Sequence, residues 1–215
     1  MTLHLAVLIS GQGRTLKNLL DVIDRGELDA TVDIVIASKK DCKGLQYADQ
    51  KKIPIAVVES HIYETKEEFS AAVFRECRSR AVDYVVMAGY LKFLLVPNDF
   101  NDRVLNIHPS LIPSFCGAGM YGRRVHEQVL ARGVKVSGAT VHFVDNIYDN
   151  GPIILQKVVP VLSDDTVDSL SDRVLLEAEF PAYPEALRLI SEGRVKIVNH
   201  PTTGARTVKI LNDAQ

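Results

Sequence analysis

Asn106 and His108 stand two positions apart in the run Arg103-Val104-Leu105-Asn106-Ile107-His108-Pro109. The run is apolar and β-like and stops at a proline. Side chains at i and i+2 of a strand share a face, so an amide and an imidazole are predicted to aim into one space at a strand end. An amide donor beside a titratable ring suits an oxyanion developing on a substrate. A lone histidine at a strand end is more often structural. Asn106 on the same face, with the turns imposed by Pro109 and Pro113, strengthens the functional reading.

Two other stretches carry comparable chemistry. Ser10-Gly11-Gln12-Gly13-Arg14-Thr15 follows an apolar run and precedes a helix-like segment. Glycines let the backbone approach an anion, and the helix start presents N–H groups to it. The alternative is a plain tight turn. A dinucleotide fingerprint would need a third glycine where Leu16 stands and an acid after the second strand, where the chain reads Ser38-Lys39-Lys40-Asp41; both points weaken that reading. Asp149 lies in the turn-forming sequence Asp149-Asn150-Gly151-Pro152 and could simply cap its own turn. A carboxylate near His108 would favour the imidazolium and fix the ring, but spacing alone does not bring the two together. His142 shares a strand face with Thr140 and Val144. His4, His61, His126 and His200 have no partner spacing, and no His/Cys cluster suggests a metal. Cys116 follows the His108 segment and reads best as a small packed hydrophobe.

The elements that must position these residues alternate between Val/Ile-rich runs and helical segments. Strands are predicted at Leu3–Ile9, Val32–Ala37, Ile53–Val58 and Asp83–Ala88, and helices near 15–25, 42–52 and 65–80. Thr65 and Glu68 have the spacing of a capping box. Such alternation implies an α/β fold, a Rossmann-like, mostly parallel twisted sheet with helices on both faces. Ligands of such sheets sit beyond the C-terminal strand ends, where Ser10–Thr15, Gly89–Leu94 and Asn106–His108 all fall. The C-terminal half adds β-type runs at Val136–Val144 and Ile153–Val161, the antiparallel part of the fold. A helical pattern from about Val167 to Glu192 contains Pro181 and Pro184, and a hairpin-like tail spans about 195–215. Without a linker or repeat, residues 1–215 read as one domain with the tail as an appendage.

The chain has 215 residues, 47% hydrophobic, with a net charge of −2, so it can build a sizeable core and has no electrostatic bias toward nucleic acid or membrane. Three widely spaced cysteines form no disulfide framework and fit a reducing cytoplasm. The N-terminal apolar run reads as a strand rather than a signal peptide. A homodimer is compatible with these properties.

Asn106-Ile107-His108-Pro109-Ser110-Leu111-Ile112-Pro113 resembles the hallmark of the folate-dependent formyltransferases. Gly138-Ala139-Thr140-Val141-His142-Phe143-Val144, followed by Asp149, Gly151-Pro152-Ile153-Ile154 and Gln156, resembles their second hallmark. With Ile9-Ser10-Gly11 and Gly13, the likeness extends over about residues 3–195 and is strongest to the branch serving purine (IMP) synthesis.

The resemblance implies transfer of a formyl group from 10-formyltetrahydrofolate, a co-substrate, to the amine of 5-phosphoribosylglycinamide, with no metal. Carried over, His108 and Asn106 stabilise the oxyanion, while Asp149 holds His108 and assists proton transfer. Gly13, Arg14 and Thr15 match the ribonucleotide-phosphate loop. Lys66, Leu91, Lys92, Phe93 and Leu94 match folate-binding positions, as do Asn106, Asp145, Asn146, Ile147, Tyr148 and Asp149. Glu179 matches an acid on the substrate-amine side, but its helix is one residue longer than usual, which makes Glu177 a rival. The run Cys116–Arg123 is also longer than the common form, and its glycines suggest a flap. Two alternatives stand beside this reading. One is a formyltetrahydrofolate deformylase, which usually carries an extra N-terminal regulatory domain; here the first strand begins at residue 3. The other is a non-catalytic nucleotide-binding module. A methionyl-tRNA formyltransferase would need an RNA-binding domain and a basic surface, neither of which the sequence displays.

Overall fold

The computed structural model describes residues 2–212. Its strands form a mixed seven-stranded sheet in the order β3-β2-β1-β4-β5-β6-β7 and a separate two-stranded sheet, β8-β9. The strands are β1 (Leu3–Ile9), β2 (Ala30–Ala37), β3 (Ile55–Val57), β4 (Tyr84–Met87), β5 (Val104–His108), β6 (Val136–Phe143), β7 (Ile153–Pro160), β8 (Val195–Asn199) and β9 (Arg206–Ile210). The helices are α1 (Arg14–Asp24), α2 (Leu45–Gln50), α3 (Lys66–Ser79), α4 (Arg123–Arg132), α5 (Val167–Arg173) and α6 (Phe180–Ser191). This is the expected α/β class, mostly parallel with antiparallel strands toward the C-terminus. The chain divides into two compact units.

The first unit runs to Asn106 and includes Val144–Asn146. Here β1 pairs in parallel with β2 and β4, β2 with β3, and β4 with β5. The apolar runs Leu5–Ile9 of β1 and Val85–Met87 of β4 follow from burial on both sheet faces. Leu5, Ala6, Val7, Leu8 and Ile9 are fully buried. One core cluster gathers Leu8, Ile36, Phe69, Phe74, Val85 and Phe100. Thr65 caps α3 by accepting from the Glu68 N–H at 3.1 Å, a contact that typically contributes ~1 kcal/mol. The Glu68 carboxylate reaches the N–H of Glu64 at 3.1 Å, one residue before the expected partner Thr65.

The second unit holds Ile107–Phe143 and the chain from Ile147 onward. β6 and β7 pair antiparallel, and the expected C-terminal hairpin is present as antiparallel β8 and β9. The predicted long helix is present with a change of pitch. A π-helical stretch, Val174–Glu179, joins α5 to α6, and the Phe180 N–H bonds the Leu175 carbonyl five residues back. Pro181 and Pro184 lack the N–H groups that would bond the carbonyls of Glu177 and Phe180 in a regular α-helix. A π turn accommodates one more residue than an α turn, which gives a physical form to the extra residue read in this helix. Tyr183, Leu170 and Leu187 are fully buried here.

Candidate active site

In the first unit two polar segments lie past the C-terminal ends of β1 and β4. They are bonded together. The Ser10 hydroxyl accepts from the Leu91 N–H at 2.9 Å and from the Ser38 hydroxyl at 2.8 Å, and the Ser10 N–H donates to the Gly89 carbonyl at 3.1 Å. Gly13 precedes α1 in the left-handed region, with φ 72°, and supplies no side-chain cap to the helix start. The first-turn N–H groups thus present an anion-binding end. Gly13 has a second reason to be glycine: a Cβ there would lie 2.5 Å from the Cα of Gly44. Thr15 is buried and Arg14 is exposed.

The residues past β4 separate by exposure. Leu94 is buried in the core, Leu91 is 54% exposed, and Lys92 is exposed. The Lys66 ammonium lies 5.7 Å from the Phe93 ring centroid, a cation–π distance that brings those two predicted residues together. The Asn146 side chain holds the next turn, its amide oxygen accepting from the Val96 N–H at 2.7 Å. Asn106 ends this unit on β5, in register with Met87 of β4.

His108, two residues further along β5, is 3% exposed. Asp149 comes to it from the loop between β6 and β7. The distance from His108 Nδ1 to Asp149 Oδ2 is 3.6 Å, and the Asp149 side chain is 11% exposed. The backbone of Asp149 is left-handed, with φ 51°, a region an aspartate tolerates better than most residues. The other oxygen, Oδ1, lies 3.9 Å from His142 Nε2, so one carboxylate stands between two imidazoles. Both rings are held from behind. His108 Nε2 lies 2.9 Å from the Phe115 carbonyl, and His142 Nδ1 lies 2.8 Å from the Phe143 carbonyl.

Thr140 explains why a hydroxyl belongs in the second hallmark. Its Oγ1 donates to the Ser110 carbonyl at 2.7 Å and accepts from the Ile112 N–H at 3.1 Å, pinning the turn after His108 to β6. The Gln156 amide donates to that same Oγ1 and to the Ile112 carbonyl, both at 3.0 Å. Gly138 lets β7 and this turn close in, since a Cβ would lie 2.0 Å from the Lys157 carbonyl oxygen and 2.9 Å from Leu111.

Sequence reasoning missed three groups here. The Phe115 carbonyl and the Gly117 N–H are backbone atoms, which no residue type announces. His126, on α4, is 3% exposed, its Nδ1 has no hydrogen-bond partner, and burial together with nearby His108 pushes it down to about 4. It is therefore neutral near pH 7. Burial, followed by the Asp149 charge, pushes the Cys116 thiol up. Its Sγ rests 3.2 Å from the Pro113 carbonyl, in keeping with a packed rather than a reactive thiol.

The remaining predicted residues separate by exposure. Ile147 and Tyr148 are 63% and 49% exposed, conspicuous for apolar side chains. Glu179 is half-buried and Glu177 is exposed. Among the described residues no group of three or more His, Cys, Asp or Glu could hold a metal ion, and no helix is long and apolar enough to cross a membrane.

The formyl transferase family model matches residues 3–187. The chain belongs to the formyl transferase family. It is similar to a protein of Vigna unguiculata named phosphoribosylglycinamide formyltransferase, chloroplastic, 39% identical over 89% of this chain and 62% of that one. The chain spans less than two thirds of the length of the first such relatives, and as little as 14% of some. Among solved structures, the glycinamide ribonucleotide transformylase 1 of Symbiobacterium toebii matches with a TM-score of 0.89 and 40% identity, over 98% of this chain and 95% of that one. A formyltetrahydrofolate deformylase of Pseudomonas syringae matches with a TM-score of 0.83 and 29% identity, over 99% of this chain and 67% of that one.

Proposed function

We propose that this formyl transferase is a phosphoribosylglycinamide formyltransferase. It would move the formyl group of 10-formyltetrahydrofolate to the amine of 5-phosphoribosylglycinamide in purine biosynthesis. The observation that carries the reading is the buried His108–Asp149 pair at the end of the strand that also bears Asn106.

The amine attacks the formyl carbon, and the carbonyl π pair moves onto oxygen. Asn106 and protonated His108 donate to that oxyanion, in surroundings from which water is largely excluded. Asp149, 3.6 Å from His108 Nδ1, faces the ring and takes the proton released by the attacking nitrogen, through water. Collapse of the tetrahedral intermediate breaks the bond from carbon to N10 of the folate, which leaves as it is protonated. Every step is a proton or acyl movement. Holding both substrates in register supplies much of the remaining rate.

The binding roles follow the same reading. The uncapped start of α1, with Gly13, Arg14 and Thr15, takes the ribonucleotide phosphate. Leu91, Lys92, Phe93, Leu94 and Lys66 serve the folate, together with Asp145, Asn146, Ile147, Tyr148 and Asp149. The exposed apolar side chains of Leu91, Ile147 and Tyr148 support that role. Glu179 serves the substrate amine, supported by its half-buried position. The three free cysteines suit a cytoplasmic setting, and a homodimer is compatible with the reading.

The deformylase is the rival, since water can replace the amine over the same trio. Purified protein is incubated with 10-formyltetrahydrofolate, with and without 5-phosphoribosylglycinamide, and both the folate and formyl products are measured. The proposal expects folate turnover to depend on the ribonucleotide, with the formyl group recovered on it. Equal turnover in its absence, with release of formate, would overturn it.

A further inference from the structure

The turn after β5 bonds both members of the buried pair through main-chain atoms. The Phe115 carbonyl faces His108 Nε2 at 2.9 Å, and the Gly117 N–H donates to Asp149 Oδ2 at 2.8 Å. A carbonyl can only accept, so the nitrogen facing it carries a proton. We propose that the Phe115–Gly117 turn is a positioning device that keeps the resting His108 proton on Nε2. Nδ1, the nitrogen facing Asp149, is then the one that gains and gives up the working proton. This rests on the proposed acyl-transfer reading for its chemistry but not for its geometry.

The proton balance is simple. With the Nε2 hydrogen bonded to the Phe115 carbonyl, Nδ1 is the nitrogen left to exchange a proton. A proton taken up from water at Nδ1 gives the imidazolium, with Nε2–H still bonded to Phe115. The new Nδ1–H lies on the side of Asp149 and is the donor to a developing oxyanion. Returning that proton restores the resting tautomer without a ring flip. Gly117 contributes by holding Oδ2 with its N–H, which fixes the carboxylate opposite Nδ1 and leaves Oδ1 toward His142, 3.9 Å away.

The backbone is shaped for this. Phe115 is left-handed, with φ 51°, uncommon for an aromatic residue, and Gly117 has φ 93°. Bonds from the rest of the unit hold the turn in place. The buried Ser110 hydroxyl donates to the Ser114 carbonyl at 2.6 Å, the Ser114 N–H bonds the Leu111 carbonyl at 2.9 Å, and Thr140 anchors Ser110 and Ile112. Such over-determination is what keeps an unfavourable φ in place.

Two measurements test the proposal. Two-bond proton–nitrogen correlation spectra of the full chain with 15N-labelled histidine, taken without substrate, report the His108 tautomer. Hydrogen on Nε2 is expected; hydrogen on Nδ1, or averaging between the two nitrogens, would overturn the proposal whatever reaction the enzyme performs. The second measurement compares Gly117→Ala with Gly119→Ala. Gly119 is also left-handed, with φ 82°, and a Cβ there meets only the end of the Arg124 side chain at 3.8 Å. Both variants strain the same segment, but only the first displaces an N–H bonded to Asp149. The expected result is a tenfold or greater fall in kcat for Gly117→Ala, little change in KM, and kcat within about twofold of wild type for Gly119→Ala. Equal losses in both variants, or no loss in Gly117→Ala, would overturn it. If neither folate transfer nor hydrolysis is detected in any variant, the assigned activity fails while the tautomer result still decides the positioning claim.

Discussion

At the scale of single residues, the buried carboxylate and imidazole are separable by substitution. His108→Ala removes the proposed acid. Asp149→Asn keeps an oxygen to accept from the Gly117 N–H but removes the negative charge beside His108 Nδ1. Each is expected to lower kcat roughly a hundredfold or more, in line with acid–base contributions, with much smaller changes in KM, as read by steady-state kinetics for both substrates. Near-wild-type kcat would remove them from the mechanism. Glu179 and Glu177 make a second contrast. Glu179→Gln should raise KM for the ribonucleotide several-fold, and the exposed Glu177→Gln should not; the reverse order would transfer the role. The Asn106–His108 pair was legible in the sequence because strand alternation puts i and i+2 on one face whatever the surroundings. Asp149 was legible only through the resemblance, since nothing in Asp149-Asn150-Gly151-Pro152 says where the loop folds. Phe115 and Gly117 were invisible because their contribution is a carbonyl and an N–H, which every such residue possesses.

At the scale of elements, two glycines carry steric arguments of different kinds. Gly138→Ala would drive a methyl into the Lys157 carbonyl and Leu111, so β7 or the turn after His108 must yield. Overpacking of this kind costs about 1–3 kcal/mol, expected as a fall of several degrees in Tm with a loss of kcat, because the displaced turn carries Phe115. An unchanged Tm would show that β7 relaxes freely. Gly13→Ala combines a left-handed φ with a close approach to Gly44; it should lower Tm as well as raise KM for the ribonucleotide. If KM rises at unchanged Tm, the loop acts only through its ligand. Most strands were legible because parallel strands buried on both faces leave unbroken Val/Ile runs. β3 is shorter than Ile53–Val58 suggested, and α2 shorter than 42–52, because apolar character continues past the last paired residue and helical pattern past the last closed turn. The π stretch was half legible. Pro181 and Pro184 predict a distortion, but only the Phe180-to-Leu175 bond shows that the helix widens instead of kinking.

At the scale of the whole molecule, the 25 basic and 27 acidic side chains nearly cancel at pH 7; in acid the carboxylates are neutralised and general repulsion grows, and particular groups add their own pH dependence to it. His126 is the clearest. Its folded value is about 4, against an ordinary 6.5. Between those values the unfolded chain binds a proton that the folded chain refuses, so stability rises with pH across that window. The contribution is complete above pH 6.5 and is lost as the pH falls toward 4. A shift of that size corresponds to at most ~3 kcal/mol. Asp165 acts at lower pH. Its carboxylate is held well below the usual range by Arg173, whose guanidinium bonds it at 2.6 and 2.7 Å, so its stabilisation begins to fade only as the pH drops below the ordinary carboxylate value. The two windows are separable. Urea midpoints of wild type and His126→Gln at pH 7 and pH 4.5 should show the larger drop in wild type, because the variant has no imidazole to protonate. Below pH 4, where Asp165 titrates, both proteins should weaken together, and Asp165→Asn should flatten that second fall. Equal losses for wild type and His126→Gln between pH 7 and 4.5 would show that the histidine gains its proton without unfolding, through water admitted to its unpartnered Nδ1.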